Sequence, residues 1–152
     1  MSKTAWAIVA FFILGGAVFV WFASQPSSEM SAQAMTSTNT GKVALGGPIV
    51  QVSLPAELSS EAQIGKRAFE AKCAQCHGTN AAGQNGTAPP LVHKIYEPSH
   101  HADMAFLRAA KTGVRAHHWR FGDMPPVEGV TDAEVKYITR YVRELQKENG
   151  IF

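Results

Sequence analysis

Cys73-Ala74-Gln75-Cys76-His77 is the stretch from which the rest of this chain is read. It holds the only two cysteines among 152 residues, which excludes the disulfide framework of a small secreted domain. Cysteines three apart on a helical turn point the same way, with about 5–6 Å between their Cβ atoms. Each sulfur can then add to one vinyl group along one edge of a porphyrin. The next residue, His77, is carried beneath the ring, where its imidazole can bind iron. C-x-x-C-H is the attachment pattern of covalent haem c, one group for one motif. A thioredoxin-like C-x-x-C wants a βαβ setting, which the flanking sequence lacks. A structural zinc site needs four closed ligands, and there is no second cysteine pair.

Outward from the motif, the sequence predicts an all-α domain with long loops. On the N-terminal side Ser60 is a suitable N-cap, and Gln63 three residues on completes a capping box. A helix then runs through Ile64 and Phe69 to the cysteines. After the motif, Thr79 to Pro90 (TNAAGQNGTAPP) is rich in Gly, Asn and Pro and reads as loop. A second helix is expected from about Asp103 to Gly113, with Met104, Phe106, Leu107 and Ala110 on it. A further loop carries Gly122, Pro125, Pro126 and Gly129. Thr131 caps the last helix, with Glu134 at the capping-box position. Val135, Ile138, Val142 and Leu145 form its apolar stripe, widened by Tyr141. No segment alternates long enough for a sheet. So small a core, threaded by so much loop, implies that a bound group fills its centre.

An iron held by His77 needs a sixth ligand, and a thioether there favours the reduced metal. Met1 is the initiator, and Met30 and Met35 lie in the linker that precedes the domain. Met104 falls early in a helix and is expected to pack in the core. Met124 lies in Phe121-Gly122-Asp123-Met124-Pro125-Pro126, a loop stiffened by two prolines, and is the expected axial ligand. His93, His100, His101, His117 and His118 are its rivals, each of which would give a bis-His iron of lower potential. Otherwise they read as solvated loop residues, with one available to hydrogen-bond a propionate. A transient copper site from the paired histidines is a further reading.

The N-terminal part differs in composition. Ala5 to Ala23 (AWAIVAFFILGGAVFVWFA) is uncharged, and as a helix it would span roughly 28 Å, close to a bilayer's hydrocarbon thickness. Trp6 and Trp21 lie near its two ends, where amphipathic rings favour the interface. A cleaved signal peptide is the rival, but the block is longer than a usual h-region and no clear A-x-A site follows. Lys3 keeps the N-terminus in the cytoplasm by the positive-inside rule. The chain thus divides into a single-pass anchor over 1–23, a flexible linker over 24–57 and a haem domain over 58–152. The linker begins SQPSSEMSAQAMTSTNTG, too polar to order itself, and as a coil would reach roughly 30–35 Å. Its second half, Val43 to Leu54, is more apolar and could form a short strand or lie across the domain.

The formal net charge is only +2, and no basic stripe interleaves with aromatics, so nucleic acid is not an expected partner. No nucleophile–base pair or paired carboxylates suggest another chemistry.

From Leu58 to about Asn149 the chain resembles the class I cytochromes c, in particular the small membrane-anchored bacterial type. C-x-x-C-H and the downstream Met124-Pro125 carry the resemblance. It implies the class I cytochrome c fold around one haem, and an electron carrier rather than an enzyme. By the same resemblance, Gly65 and Phe69 look like the family's small-plus-aromatic pair on the first helix, and Tyr141 like the aromatic that packs against them. Pro90, with Pro89 as the alternative, resembles the proline whose carbonyl accepts a hydrogen bond from the proximal imidazole. Trp119 and Arg120 are placed to reach a propionate. The implied location is the bacterial inner membrane, with the haem domain in the periplasm among respiratory redox partners of unknown identity. The histidine-rich stretch and the long linker depart from the simplest members. They leave open a fixed subunit of a larger oxidoreductase, or a gas sensor or enzyme with an open iron site.

Overall fold

The computed structural model describes residues 43–152. Among the described residues four α-helices form the framework: α1 (Ser60–Lys72), α2 (Ala74–His77), α3 (Asp103–Thr112) and α4 (Asp132–Glu148). Short 3-10 turns occupy Thr79–Ala81 and Lys94–Tyr96. The described residues contain no strand, only two isolated antiparallel bridges, Gln84 with Ala88 and Val114 with Met124. This agrees with the all-α expectation.

Helix α1 buries Ala62, Gly65 and Phe69, a single stripe at helical spacing. Its N-cap is Ser59, one residue earlier than expected. The Ser59 hydroxyl accepts from Ala62 N at 3.2 Å and donates to Glu144 Oε1 at 2.6 Å, so α4 selects between two adjacent serines. The Gln63 side chain donates to the Leu58 carbonyl instead of closing a capping box. Helix α4 starts as expected: Thr131 Oγ1 accepts from Glu134 N at 3.2 Å, and Thr131 N donates back to Glu134 Oε2 at 2.7 Å.

The expected stripe of α4 is buried throughout: Val135, Ile138, Tyr141, Val142 and Leu145. It packs across α1, with the Phe69 and Tyr141 rings 5.6 Å apart and tilted by 57°. Burying side chains of this size contributes about 1.5–3 kcal/mol each. Gly65 sits at the crossing. A Cβ built there would lie 1.8 Å from the Tyr137 carbonyl oxygen, so only glycine lets the two backbones meet. Gln146 is fully buried on the same helix, and its amide donates to the carbonyls of Leu91 at 2.8 Å and Tyr96 at 3.0 Å. These bonds offset its desolvation and tie the loop after α2 to α4.

The apolar second half of the expected linker over 24–57 makes contacts with the domain. Ile49 N and Val50 N both donate to the Ala82 carbonyl at 3.1 Å, and Val52 packs against the core. Ser53 exchanges two hydrogen bonds with the Asn149 side chain, each 2.9 Å. The apolar half therefore lies across the domain, and no strand forms because each contact is to a loop or a side chain. Among the described residues no helix is long and apolar enough to cross a membrane. The expected span over Ala5–Ala23 and the linker up to residue 42 lie outside the described residues.

Candidate haem site

The end of α1 positions the motif. Cys73 caps that helix, its N–H bonding the Phe69 carbonyl at 2.8 Å, and α2 restarts at Ala74. One turn later His77 N donates to the Cys73 carbonyl at 2.9 Å, which fixes cysteine and histidine on one short helix. Gly78 ends it with φ +74°, and Gly83 N then bonds the His77 carbonyl at 2.7 Å. A Cβ at Gly78 would meet the Gly83 oxygen at 2.4 Å, so only glycine fits at this turn. Asn80 and Ala81 follow in the left-handed region, φ 55° and 59°, which costs roughly 1–2 kcal/mol per residue. Tyr141 Oη donating to Asn80 Oδ1 (3.2 Å) and Leu91 N donating to the Ala81 carbonyl (2.9 Å) hold that turn.

The loop brings a proline carbonyl to the imidazole: His77 Nδ1 lies 2.9 Å from the oxygen of Pro89. This corrects the choice of Pro90. Pro90 is fully buried with its ring nitrogen against Gly83, where a Cβ would approach it to 2.5 Å, and its neighbour's carbonyl is the one presented. Burial holds the His77 pKa below its ordinary value, against the opposing pull of the Pro89 carbonyl. A neutral ring donating from Nδ1 leaves the Nε2 lone pair for a metal.

His77 lines a cavity of about 540 Å³ together with Cys73, Cys76, Met124 and Trp119. That volume falls within the roughly 300–1,000 Å³ of sites for sizeable ligands. The remaining wall is mostly apolar, including Leu91, Phe106, Val127, Val130 and Ile138. Both cysteines are free thiols, Cys73 half-buried and Cys76 exposed. Burial, and secondarily the adjacent Cys76, push the Cys73 thiol up to about 11. Trp119 Nε1 is buried with no hydrogen-bond partner. The Tyr96 phenol, pushed up to about 12 by burial with the Trp119 indole pulling the other way, comes near without completing that bond. Two thiols, an imidazole, a thioether and an unpartnered buried N–H in one apolar chamber fit a covalently held haem with a carboxylate tail.

Met124 is held by a backbone pair with Val114, N to O 2.9 Å in both directions. Met104, expected in the core, is 63% exposed and does not line the cavity. Helix α3 instead turns Ala105, Phe106 and Ala109 to that wall. Arg120 is exposed and outside the cavity, and Tyr141 packs on Phe69 and bonds Asn80 rather than lining the site. Neither residue lines the cavity. His101, His117 and His118 also line the cavity, a grouping that no local pattern announces, because α3 separates the two pairs in sequence.

Residues 62–146 match the cytochrome c family. The chain is also 36% identical over 100 residues to the Cbb3-type cytochrome c oxidase subunit CcoP of Rubrivivax gelatinosus, an alignment covering 62% of this chain. The chain spans only 30% of the length of that curated relative. No solved structure matches. With more than half of its residues inside the family match, the chain belongs to the cytochrome c family, as a bacterial class I c-type cytochrome. Its chemistry is haem-based electron transfer.

Proposed function

We propose that the protein is a membrane-tethered carrier of single electrons with one haem c in the 540 Å³ cavity, serving redox partners outside the bacterial inner membrane. The observation that carries this reading is the meeting of Cys73, Cys76, His77 and Met124 in one apolar chamber. Cys73 and Cys76 would hold the group by adding sulfur and hydrogen across its two vinyl substituents. When bound, the haem supplies a one-electron iron couple. His77 would coordinate through Nε2, its ring fixed by the Pro89 carbonyl 2.9 Å from Nδ1. Met124 would coordinate through its thioether, which favours the reduced state. The apolar wall excludes water and so raises the cost of the extra charge on the oxidised site. Trp119 Nε1 would donate to a propionate. The apolar block over 1–23 serves as the anchor, and the polar stretch after it as a tether that raises the local concentration of partners.

The test is the mass and colour of the matured protein beside a variant with Cys73→Ser and Cys76→Ser. The wild type should be coloured and heavier than its chain by one haem, and the variant should carry none. A colourless wild type of unmodified mass ends the proposal.

The resemblance to an oxidase subunit supports a second reading, in which the domain is fixed in a larger oxidase rather than shuttling. Gentle detergent extraction separates the two. A free carrier elutes as the lone chain, and a fixed subunit co-elutes with its oxidase.

A further inference from the structure

We propose that His100, His101 and His118 form a surface site for a late first-row divalent metal ion, copper(II) most tightly. The three side chains come from both ends of the α3 region, yet one ligand nitrogen from each lies within 4.8 Å of the others. Among the described residues no other group of His, Cys, Asp or Glu meets that condition. The His100 and His101 rings stack at 4.7 Å, and the His118 ring stands across them at 5.3 and 5.4 Å. His117 adds a fourth imidazole 4.3 Å from His118.

The orientation of His101 matches that of a metal ligand. Its Nδ1 lies 2.7 Å from the Ile95 carbonyl, so the N–H is committed there and Nε2 keeps its lone pair. Metal-bound histidines are held in this way, the second nitrogen donating to a carbonyl. His117 repeats the arrangement with the Arg115 carbonyl at 2.8 Å. Arg143 braces His101 from behind by donating to its carbonyl, and to that of Tyr96 at 2.6 Å. The guanidinium would repel a cation, but Asp103 Oδ1 at 2.8 Å offsets it.

Nitrogens around a tetrahedral ion at about 2.0–2.1 Å stand roughly 3.3 Å apart, so the cluster must close by about 1.5 Å. His100 and His118 are exposed and their rings can turn, while His101 stays fixed. Three imidazoles without a carboxylate suit copper, zinc or nickel and not magnesium or calcium, and the affinity order peaks at copper(II). Three protein ligands leave one position for water or an exchanging donor.

The experiment uses full-length, tag-free, haem-loaded protein. Calorimetry with zinc(II) and electron paramagnetic resonance with copper(II) should each report one equivalent, with nitrogen coupling in the copper spectrum. Magnesium should not bind. His118→Ala and, separately, His100→Ala should weaken binding about tenfold or more, while His93→Ala, outside the cluster, should not. Unchanged affinity in both cluster variants, or no stoichiometric binding by the wild type, overturns the proposal. So does a loss of the oxidised haem's axial-ligand signature in His118→Ala, which would make that histidine an iron ligand. Failure to bind zinc(II) or copper(II) in a protein that keeps its far-red sulfur-to-iron band would sink this site and leave the haem reading standing.

Discussion

Gly65→Ala should destabilise the domain by a net of about 2 kcal/mol or more, lowering its Tm by on the order of 10 °C. Two effects compete. Alanine in a helix interior gains about 1 kcal/mol over glycine through propensity and reduced unfolded-state freedom. Against that, the added methyl would stand 1.8 Å from the Tyr137 oxygen, 2.4 Å from its carbonyl carbon and 3.0 Å from Ile138 N. All three are backbone atoms of α4, so no rotamer change relieves the contact. The helices must separate by more than an ångström, which opens the packing of Phe69 on Tyr141 across the crossing. Overpacking alone costs about 1–3 kcal/mol where side chains can yield, and more where only backbone can. Thermal unfolding of the haem-loaded protein followed by far-ultraviolet circular dichroism measures the result. A melting point equal to or above wild type would mean that the crossing is looser than described.

Met124→Ala should keep the haem and lose the axial thioether. Cys73 joins α1 to α2, and Cys76 and His77 sit on α2, apart from the loop that holds Met124, so covalent attachment does not depend on this residue. The oxidised variant should lack the far-red sulfur-to-iron band of the wild type. Its midpoint potential should fall by on the order of 0.1 V, part of the roughly 0.8 V that axial ligation spans. Carbon monoxide should bind the reduced variant readily and the wild type poorly. If the wild type itself lacks the far-red band, poor carbon monoxide binding would point to a histidine at that position, and His101, His117 and His118 are the ones lining the cavity; ready binding would mean an open iron site. The backbone pair between Val114 and Met124 should survive the substitution, because it uses no side-chain atom.

What could be read from the chain in advance was whatever depends on near neighbours in sequence. C-x-x-C-H and the Thr131–Glu134 box are fixed within five residues, and the stripe of α4 within a few turns. Choices made by distant parts of the chain were not legible. Ser59 and Ser60 are equally able caps, and Glu144, 85 residues from Ser59, selects between them. Pro89 and Pro90 are equivalent on paper until Gly83 packs against one. Helix α3 carries apolar residues on more than one side, and periodicity alone cannot say that Phe106 meets the cavity while Met104 meets solvent. The histidines were visible as two pairs, but their convergence is a property of the fold.

The paired amide bonds between Ser53 and Asn149 have a mechanical consequence. Any pull arriving along the chain from its N-terminal side meets this clasp, and the grip of Ile49 and Val50 on Ala82, before it reaches α1. Load is thereby shared with Asn149 at the C-terminal cap of α4 and with the loop after α2. The force path from the N-terminal side thus enters the domain at two points remote in sequence before it reaches the helix that leads to Cys73.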